Sequence, residues 1–124
     1  MDNPRLLIAD DDADFRDFLN EELTNAGFSV TAVANGADAI VYVTEQTFDM
    51  ILIDMIMPGM DGIQVIRVLK KVAPHLPILG ISGYVGRGYL AQAADFNVPT
   101  LTKPVVIANL VEEINAVLKT ARNG

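Results

Sequence analysis

The sequence predicts a three-layer α/β domain, in which five parallel strands form one sheet and helices cover both of its faces. Two observations predict this fold. Short aliphatic runs alternate along the chain with longer segments in which apolar residues recur at helical spacing. The aliphatic runs are mostly continuous rather than alternating with polar residues, which is typical of strands buried on both faces of a parallel sheet. With 124 residues, of which 51% are hydrophobic, we expect one domain over residues 1–124.

Three strands and two helices are predicted in the first half of the chain. The strands cover residues 5–9, 28–34 and 50–54. The first helix has apolar residues at helical spacing, namely Phe15, Phe18, Leu19, Leu23 and Ala26. Asp12 is its predicted N-cap and Gly27 its predicted end. Asn35-Gly36 turns the chain into a second helix over about 37–46.

Two further strands and three helices are predicted in the second half. A helix is expected from Asp61-Gly62 to about Val72. The fourth and fifth strands cover residues 77–82 and 99–102, with a glycine-rich loop, GYVGRG, and a short helix around 89–95 between them. The chain finishes in an amphipathic helix whose apolar residues are Ile107, Leu110, Val111, Ile114, Val117 and Leu118.

The composition argues against several classes of protein. There is no cysteine, so a disulfide framework and thiolate chemistry are excluded. Sixteen acidic against nine basic residues give a net charge of −7, which repels nucleic acid phosphates and anionic lipids. The apolar runs are far shorter than the roughly 20 residues needed to span a bilayer, and the N-terminus has no signal-peptide pattern. We therefore expect a cytoplasmic protein with neither membrane insertion nor direct nucleic-acid contact.

Polar side chains follow the strands of the predicted sheet. Asp10 and Asp11 end the first strand, and Asp54 ends the third. Ser82 ends the fourth strand, and Lys103 directly follows the fifth. Because the carboxyl ends of parallel strands meet at one edge of a sheet, we expect these five side chains to lie close together.

Such a cluster favours metal-assisted phosphoryl chemistry. Three neighbouring carboxylates repel each other unless a cation neutralises them. Mg²⁺ suits these oxygen donors best, with Mn²⁺ as an alternative, because it takes few carboxylates and keeps water or phosphate oxygens in its other positions. With Asp10 and Asp11 as the main ligands, Asp54 can attack phosphorus and form an aspartyl phosphate. Lys103 would offset the phosphoryl charge, and the Ser82 hydroxyl would donate a hydrogen bond to it.

The residues at this edge resemble those of the receiver domain of two-component response regulators, of which the chemotaxis receiver is one. The resemblance rests on Asp10-Asp11, on DMIMPGMDG at residues 54–62, on Ser82 and on Lys103-Pro104. It covers essentially the whole chain, which would then form a single receiver domain. It implies a flavodoxin-like (βα)5 fold, doubly wound, with the strand order 2-1-3-4-5.

The resemblance also implies a function and a set of site residues. A sensor histidine kinase or a histidine phosphotransfer protein would donate a phosphoryl group from phosphohistidine to Asp54, and the product would switch binding to a downstream effector protein. Phosphorylation and slow dephosphorylation would be self-catalysed. The metal ligands would be Asp10, Asp11, Asp54 and the backbone carbonyl of Ile56. The Lys103-Pro104 peptide bond would be cis, and the face formed by helix 4, strand 5 and helix 5 would bind partners, leaving the chain a monomer or a weak homodimer.

Three positions depart from the usual pattern of this family or add to it. The position of the family's switch aromatic falls on Thr100, which leaves the conformational output open. Tyr84 is a candidate to supply a ring instead. Ile56 and Tyr84 also place bulky side chains beside the pocket, and we expect them to hinder the attacking water and prolong the phosphorylated state.

Other interpretations stay open. One is a phosphorylation-independent adaptor with a receiver fold, because Thr100 lacks the ring. Another is a haloacid-dehalogenase-type phosphatase, because LLIADDDAD resembles its D-x-D strand, with Asp10 as nucleophile and Asp12 as acid; Asp14 then stands where Thr or Val is expected. The acidic loop after the first strand argues against a flavodoxin-like cofactor binder. The sequence names neither kinase nor stimulus nor output, and it is compatible with a stand-alone regulator or an excised receiver.

Several conspicuous residues have structural explanations. Asp12 and Asp61 are expected to cap helices rather than to bind metal. The three methionines of residues 55–60 are expected to fill gaps or make surface contacts near the pocket. His75, within PHLP, is expected to be an exposed turn residue.

Overall fold

The computed structural model describes residues 3–83 and 93–123. The strands are β1 Arg5–Ala9, β2 Ser29–Val33, β3 Met50–Asp54, β4 Ile78–Ser82 and β5 Thr100–Thr102. The helices with described bounds are α1 Ala13–Asn25, α2 Gly36–Glu45, α3 Gly62–Val72 and the C-terminal helix Ile107–Asn123. Residues 93–95 are also helical. The remainder of the helix expected around 89–95 lies outside the described residues, as does Tyr84.

The five strands are parallel, and their order β2-β1-β3-β4-β5 confirms the predicted topology. Ala9 pairs with Val33 on one side and with Ile53 on the other. Asp54 pairs with Ile81 in the next strand. This register ends the strands at nearly the same level, so the residues that follow them share one edge of the sheet.

Two hydrophobic clusters lie on opposite faces of the sheet. Leu7 of β1 belongs to one cluster, together with Leu69 of α3. Its neighbour Leu6 belongs to the other, together with Leu23 of α1 and Ile114 of the C-terminal helix. Each fully buried leucine contributes about 1.5–3 kcal/mol to folding. The sheet is therefore covered on both faces, as the three-layer prediction requires. None of the helices in the described ranges is long and apolar enough to cross a membrane.

The residues predicted to cap helices, end a helix or lie in a turn have these roles in the structure. Asp12 caps α1, its carboxylate accepting hydrogen bonds from two N–H groups of the first turn at 3.0 and 3.3 Å. Gly27, just beyond α1, has a φ of 102°, which favours glycine. Asp61 forms a capping box with Gln64 at the start of α3. His75 is exposed in a turn.

Two of the apolar residues at helical spacing in α1 are exposed. Phe18 is 40% exposed, and Ala26 is exposed just after the end of the helix. Leu19 and Leu23, four residues apart, take the buried positions against the sheet. Phe18 therefore falls at the edge of the buried stripe.

Candidate functional site

The carboxyl-terminal edge of the sheet brings together the polar residues singled out in the sequence. Asp10, Asp54 and Ser82 are the buried polar residues of the described chain, with exposures of 1%, 6% and 0%. Asp11 is exposed next to them. Lys103 follows β5, and its side chain is 24% exposed. Parallel pairing of β1, β3, β4 and β5 therefore places four of these residues at one rim, and Asp11 continues from β1.

The three aspartates form a compact oxygen-donor group. One carboxylate oxygen from each of Asp10, Asp11 and Asp54 lies within 4.8 Å of the others. Asp10 Oδ1 accepts a hydrogen bond from the N–H of Asp12 at 2.8 Å, and its backbone carbonyl accepts one from Nη1 of Arg16 at 2.8 Å. Three hard anionic donors at this spacing suit a small divalent cation such as Mg²⁺.

Lys103 lies against the two buried carboxylates. Its Nζ is 3.2 Å from Oδ2 of Asp10 and 3.5 Å from Oδ2 of Asp54. Its backbone N–H donates to the carbonyl of Ser82 at 2.9 Å, and the Lys103-Pro104 peptide bond is cis. The ammonium therefore supplies a positive charge directly beside the metal-type donors.

The negative charge of Asp54 is only partly neutralised by its surroundings. The pKa of Asp54 is raised to about 6, chiefly by burial and further by the negative charge of Asp10. The 3.0 Å hydrogen bond from the Ile56 N–H and the positive charge of Lys103 lower the pKa and so oppose this rise. For Lys103, burial lowers the pKa, but the attraction of Asp54 and Asp10 outweighs burial, so the pKa is raised overall. A further positive charge, such as a bound cation, would therefore stabilise the ionised form of Asp54.

The chain behind Asp54 is held by Met55. The N–H of Met55 donates to the carbonyl of Ile81 at 2.9 Å, and its carbonyl accepts from the N–H of Gly62 at 3.0 Å. A Cβ on Gly62 would lie 2.6 Å from the Met55 Cα and 3.1 Å from the Asp54 carbonyl oxygen. Only glycine allows α3 to approach this turn so closely. Met55 and Met57 are buried, as expected for gap-filling residues.

The positions that depart from the usual pattern have different environments. Thr100 starts β5 opposite Gly80, and its hydroxyl oxygen is buried without a hydrogen-bond partner among the described residues. Ile56, two residues after Asp54, is 40% exposed. Tyr84, the proposed substitute ring, lies outside the described part of the chain.

Two neighbours of the site were not anticipated. The ring of Phe15 lies 4.2 Å from Nζ of Lys103, and Arg16 binds the Asp10 carbonyl. Phe15 was interpreted only as part of an apolar helical stripe. Its contact with Lys103 joins residues far apart in sequence, and helical spacing carries no information about such a partner.

Comparison with known proteins agrees with the fold. Residues 6–115 match the family described as the response regulator receiver domain, and the chain belongs to this family, whose members act in two-component signalling.

Two relatives of the chain differ in length. The response regulator receiver protein CpdR of Brucella abortus is 38% identical over 121 residues, which cover 94% of this chain and 98% of that protein. The transcriptional regulatory protein PrrA of Mycobacterium bovis is 34% identical over 94% of this chain but only 51% of that protein, so the chain spans about half of it.

A solved receiver domain supports the architecture. The CheY-like receiver from Methanospirillum hungatei superposes with a TM-score of 0.93 at 23% identity, covering 98% of each chain. At that identity the likeness supports the fold alone.

Proposed function

We propose that this chain is the phosphoacceptor of a two-component system or phosphorelay, taking a phosphoryl group from a partner's phosphohistidine onto Asp54 in the presence of Mg²⁺. The observation that carries the proposal is the meeting of Asp10, Asp11 and Asp54 within 4.8 Å, with the Lys103 ammonium 3.2 and 3.5 Å from two of them. Membership of the receiver family makes transfer to an aspartate the expected chemistry.

Each residue of the site has a separate role in the transfer. A carboxylate oxygen of Asp54 attacks phosphorus, the P–N bond of phosphohistidine breaks, and the imidazole nitrogen keeps the electron pair. The Ile56 N–H, 3.0 Å from Oδ1 of Asp54, fixes the orientation of the carboxylate. Lys103 and the Ser82 hydroxyl stabilise the negative charge on the transferred group. With a pKa of about 6, Asp54 is mainly ionised at neutral pH and therefore nucleophilic.

The metal would be held by Asp10, Asp11, Asp54 and the backbone carbonyl of Ile56, with Mn²⁺ able to replace Mg²⁺. When bound it neutralises charge on the phosphoryl oxygens. Asp10 is kept in position by the Asp12 N–H and by Arg16, at 2.8 Å each, so its carboxylate is oriented before the metal arrives.

The biological setting follows from this chemistry. The donor would be a sensor histidine kinase or a histidine phosphotransfer protein in the cytoplasm, and phosphorylation would switch binding of a downstream effector protein. Partner binding, or a weak homodimer, is proposed on the face of β5, the C-terminal helix and the short helix expected around residues 89–95. Autodephosphorylation would end the signal.

One observation favours a second candidate function. Thr100 has no ring to move between two positions, and its buried hydroxyl lacks a partner among the described residues. A receiver-fold adaptor whose binding does not depend on phosphorylation is therefore the alternative. Effector affinity measured with and without a phosphoryl mimic on Asp54 separates the two.

The proposal is tested by incubation with acetyl phosphate and Mg²⁺ followed by intact mass spectrometry. We expect the wild type to gain one phosphoryl group, Asp54→Asn to gain none, and added EDTA to prevent the gain. Asp17→Asn, at an exposed acid on α1, is the matched control and should behave as the wild type. A phosphoryl group on Asp10 would contradict the proposal and favour the phosphatase interpretation.

A further inference from the structure

We propose that Phe15 is a positioning residue for Lys103: its ring closes one side of the ammonium site and keeps the amine beside Asp54 when a metal has taken up the charge of the carboxylates. The inference rests on the proposed phosphoacceptor function and adds a residue to it.

The ammonium of Lys103 is enclosed by three groups of different chemistry. Nζ lies 3.2 Å from Asp10 Oδ2, 3.5 Å from Asp54 Oδ2 and 4.2 Å from the centroid of the Phe15 ring. The last distance is well inside the roughly 6 Å over which a ring face attracts a cation. The aliphatic stem of the lysine passes Gly83, where an added Cβ would lie 3.6 Å from Cδ.

The ring of Phe15 is itself held in place. Phe15 lies in the first turn of α1, where its N–H donates to the capping carboxylate of Asp12 at 3.3 Å. Its side chain is partly buried against the cluster that includes Leu19. The Phe18 ring lies nearby, with ring centroids 6.3 Å apart, but it is 40% exposed and contributes little to holding Phe15 in place. Through its place in α1 and in the cluster, the Phe15 ring is a fixed wall rather than a mobile surface group.

The contact with the Phe15 ring contributes most to the position of the Lys103 ammonium when a metal ion is bound to Asp10 and Asp54. In the metal-free site Asp10 and Asp54 attract the ammonium directly. A divalent cation on the same carboxylates weakens that attraction and repels the ammonium as a like charge. The lysine side chain has a flexible stem of four carbons, so the ammonium can turn away into solvent. The face of Phe15 carries no net charge that a metal could neutralise, so its attraction for the ammonium persists.

The contact is tested by the NMR shift of the Lys103 ε-methylene protons in the metal-free protein. Over a ring face these protons are shifted upfield. We expect the upfield shift in the wild type, in Phe15→Tyr and in the control Phe18→Leu, and its loss in Phe15→Leu. Wild-type protons at the position of an ordinary exposed lysine would overturn the proposal without any variant, even if Phe15→Leu fails to fold.

The positioning role is tested by the rate of Asp54 phosphorylation with acetyl phosphate at saturating Mg²⁺. We expect Phe15→Leu to be slower by about two- to five-fold, as a partly exposed cation–π contact implies. Phe15→Tyr and Phe18→Leu should stay close to the wild-type rate. Equal rates for Phe15→Leu and Phe18→Leu would overturn the inference while leaving the phosphoacceptor function standing. A wild type that takes no phosphoryl group on Asp54 would overturn both.

Discussion

The Nζ atom of Lys103 lies 3.2 Å from Oδ2 of Asp10, a contact between residues 93 positions apart in the chain. The same amine is 3.5 Å from Asp54. One ammonium thus serves two buried carboxylates, and the exposed Asp11 adds a third negative charge nearby. The metal-free protein holds an excess of negative charge at the rim of its sheet, and this excess determines how the site responds to mutation, pH and metal.

Replacing the lysine should expose the repulsion between the acids. Lys103→Met keeps the length of the side chain but removes its charge. We expect the pKa of Asp54 to rise further above about 6 and the metal-free protein to lose roughly 1–3 kcal/mol of unfolding free energy at pH 7.5, because a buried charge has lost its partner. Urea unfolding measures this loss. Mg²⁺ should restore more stability to the variant than to the wild type.

The control for this change is Lys119→Met, at an exposed lysine of the C-terminal helix. It should alter stability little, with or without Mg²⁺. An equal gain from Mg²⁺ in Lys103→Met and in the wild type would contradict the view that the lysine and the metal compete for the same negative charge.

The raised pKa of Asp54 predicts a pH-dependent cost of folding. Its pKa is about 6 in the native protein and 3.8 for the unperturbed group, chiefly because the carboxylate is buried. The native state therefore binds more protons between these values, so unfolding free energy falls as pH rises, and the cost is complete above about pH 6. A shift of about two pKa units corresponds to roughly 3 kcal/mol, an upper value because Lys103 is coupled to it.

Asp54→Asn removes the charge and should raise the unfolding free energy in EDTA by about 1–3 kcal/mol at pH 7.5. The gain should shrink by pH 4.5, where Asp54 is already protonated in the native state. Urea unfolding at both pH values provides the measurement. A gain of the same size at both would mean that the amide acts through packing or hydrogen bonding rather than through charge.

The sheet could be predicted from the sequence because its strands are short, continuously apolar and separated by helical patterns. Strand bounds differ from the prediction by at most one residue, as in β2, where the expected 28–34 is Ser29–Val33. Helical spacing did not show which apolar residues of α1 are buried, and Phe18 is 40% exposed. Spacing gives the direction of a stripe but not its width, and the width depends on which strands lie beneath the helix.

The site could be predicted only where the chain topology determines it. Residues that directly follow parallel strands must share an edge, which placed Asp54 near Lys103 before any coordinates. The contact of Phe15 with Lys103 and the close approach of Gly62 to Met55 depend on how helices lean on the sheet. The sequence pattern does not show how a helix is placed against the sheet, so it does not predict such contacts.

Thr100 offers a test of its buried hydroxyl. The oxygen has no partner among the described residues, and a buried unsatisfied hydroxyl costs about 1–3 kcal/mol. Thr100→Val keeps the shape and removes the polar atom, so we expect an increase of roughly 1 kcal/mol in unfolding free energy, measured by urea. Thr100→Ser, which keeps the hydroxyl and loses the methyl, should be less stable than the wild type. A less stable valine variant would show that the hydroxyl is hydrogen-bonded after all.

Ile56 should control the lifetime of the phosphorylated state. Its side chain is 40% exposed, and its N–H donates to Asp54 Oδ1 at 3.0 Å. Ile56→Asn retains that backbone hydrogen bond, so any change in rate comes from the side chain. An amide orients water where an apolar branched side chain excludes it. We therefore expect hydrolysis to accelerate by about tenfold, roughly 1.4 kcal/mol in the barrier.

The lifetime is measured after removal of acetyl phosphate, by following the loss of the phosphoryl mass in the presence of Mg²⁺. Ile56→Leu keeps an apolar side chain of the same size and should hydrolyse as slowly as the wild type. Comparison of the two variants separates water access from a general disturbance of the turn after Asp54. If the asparagine variant keeps the wild-type rate, Ile56 does not shield the phosphoryl group.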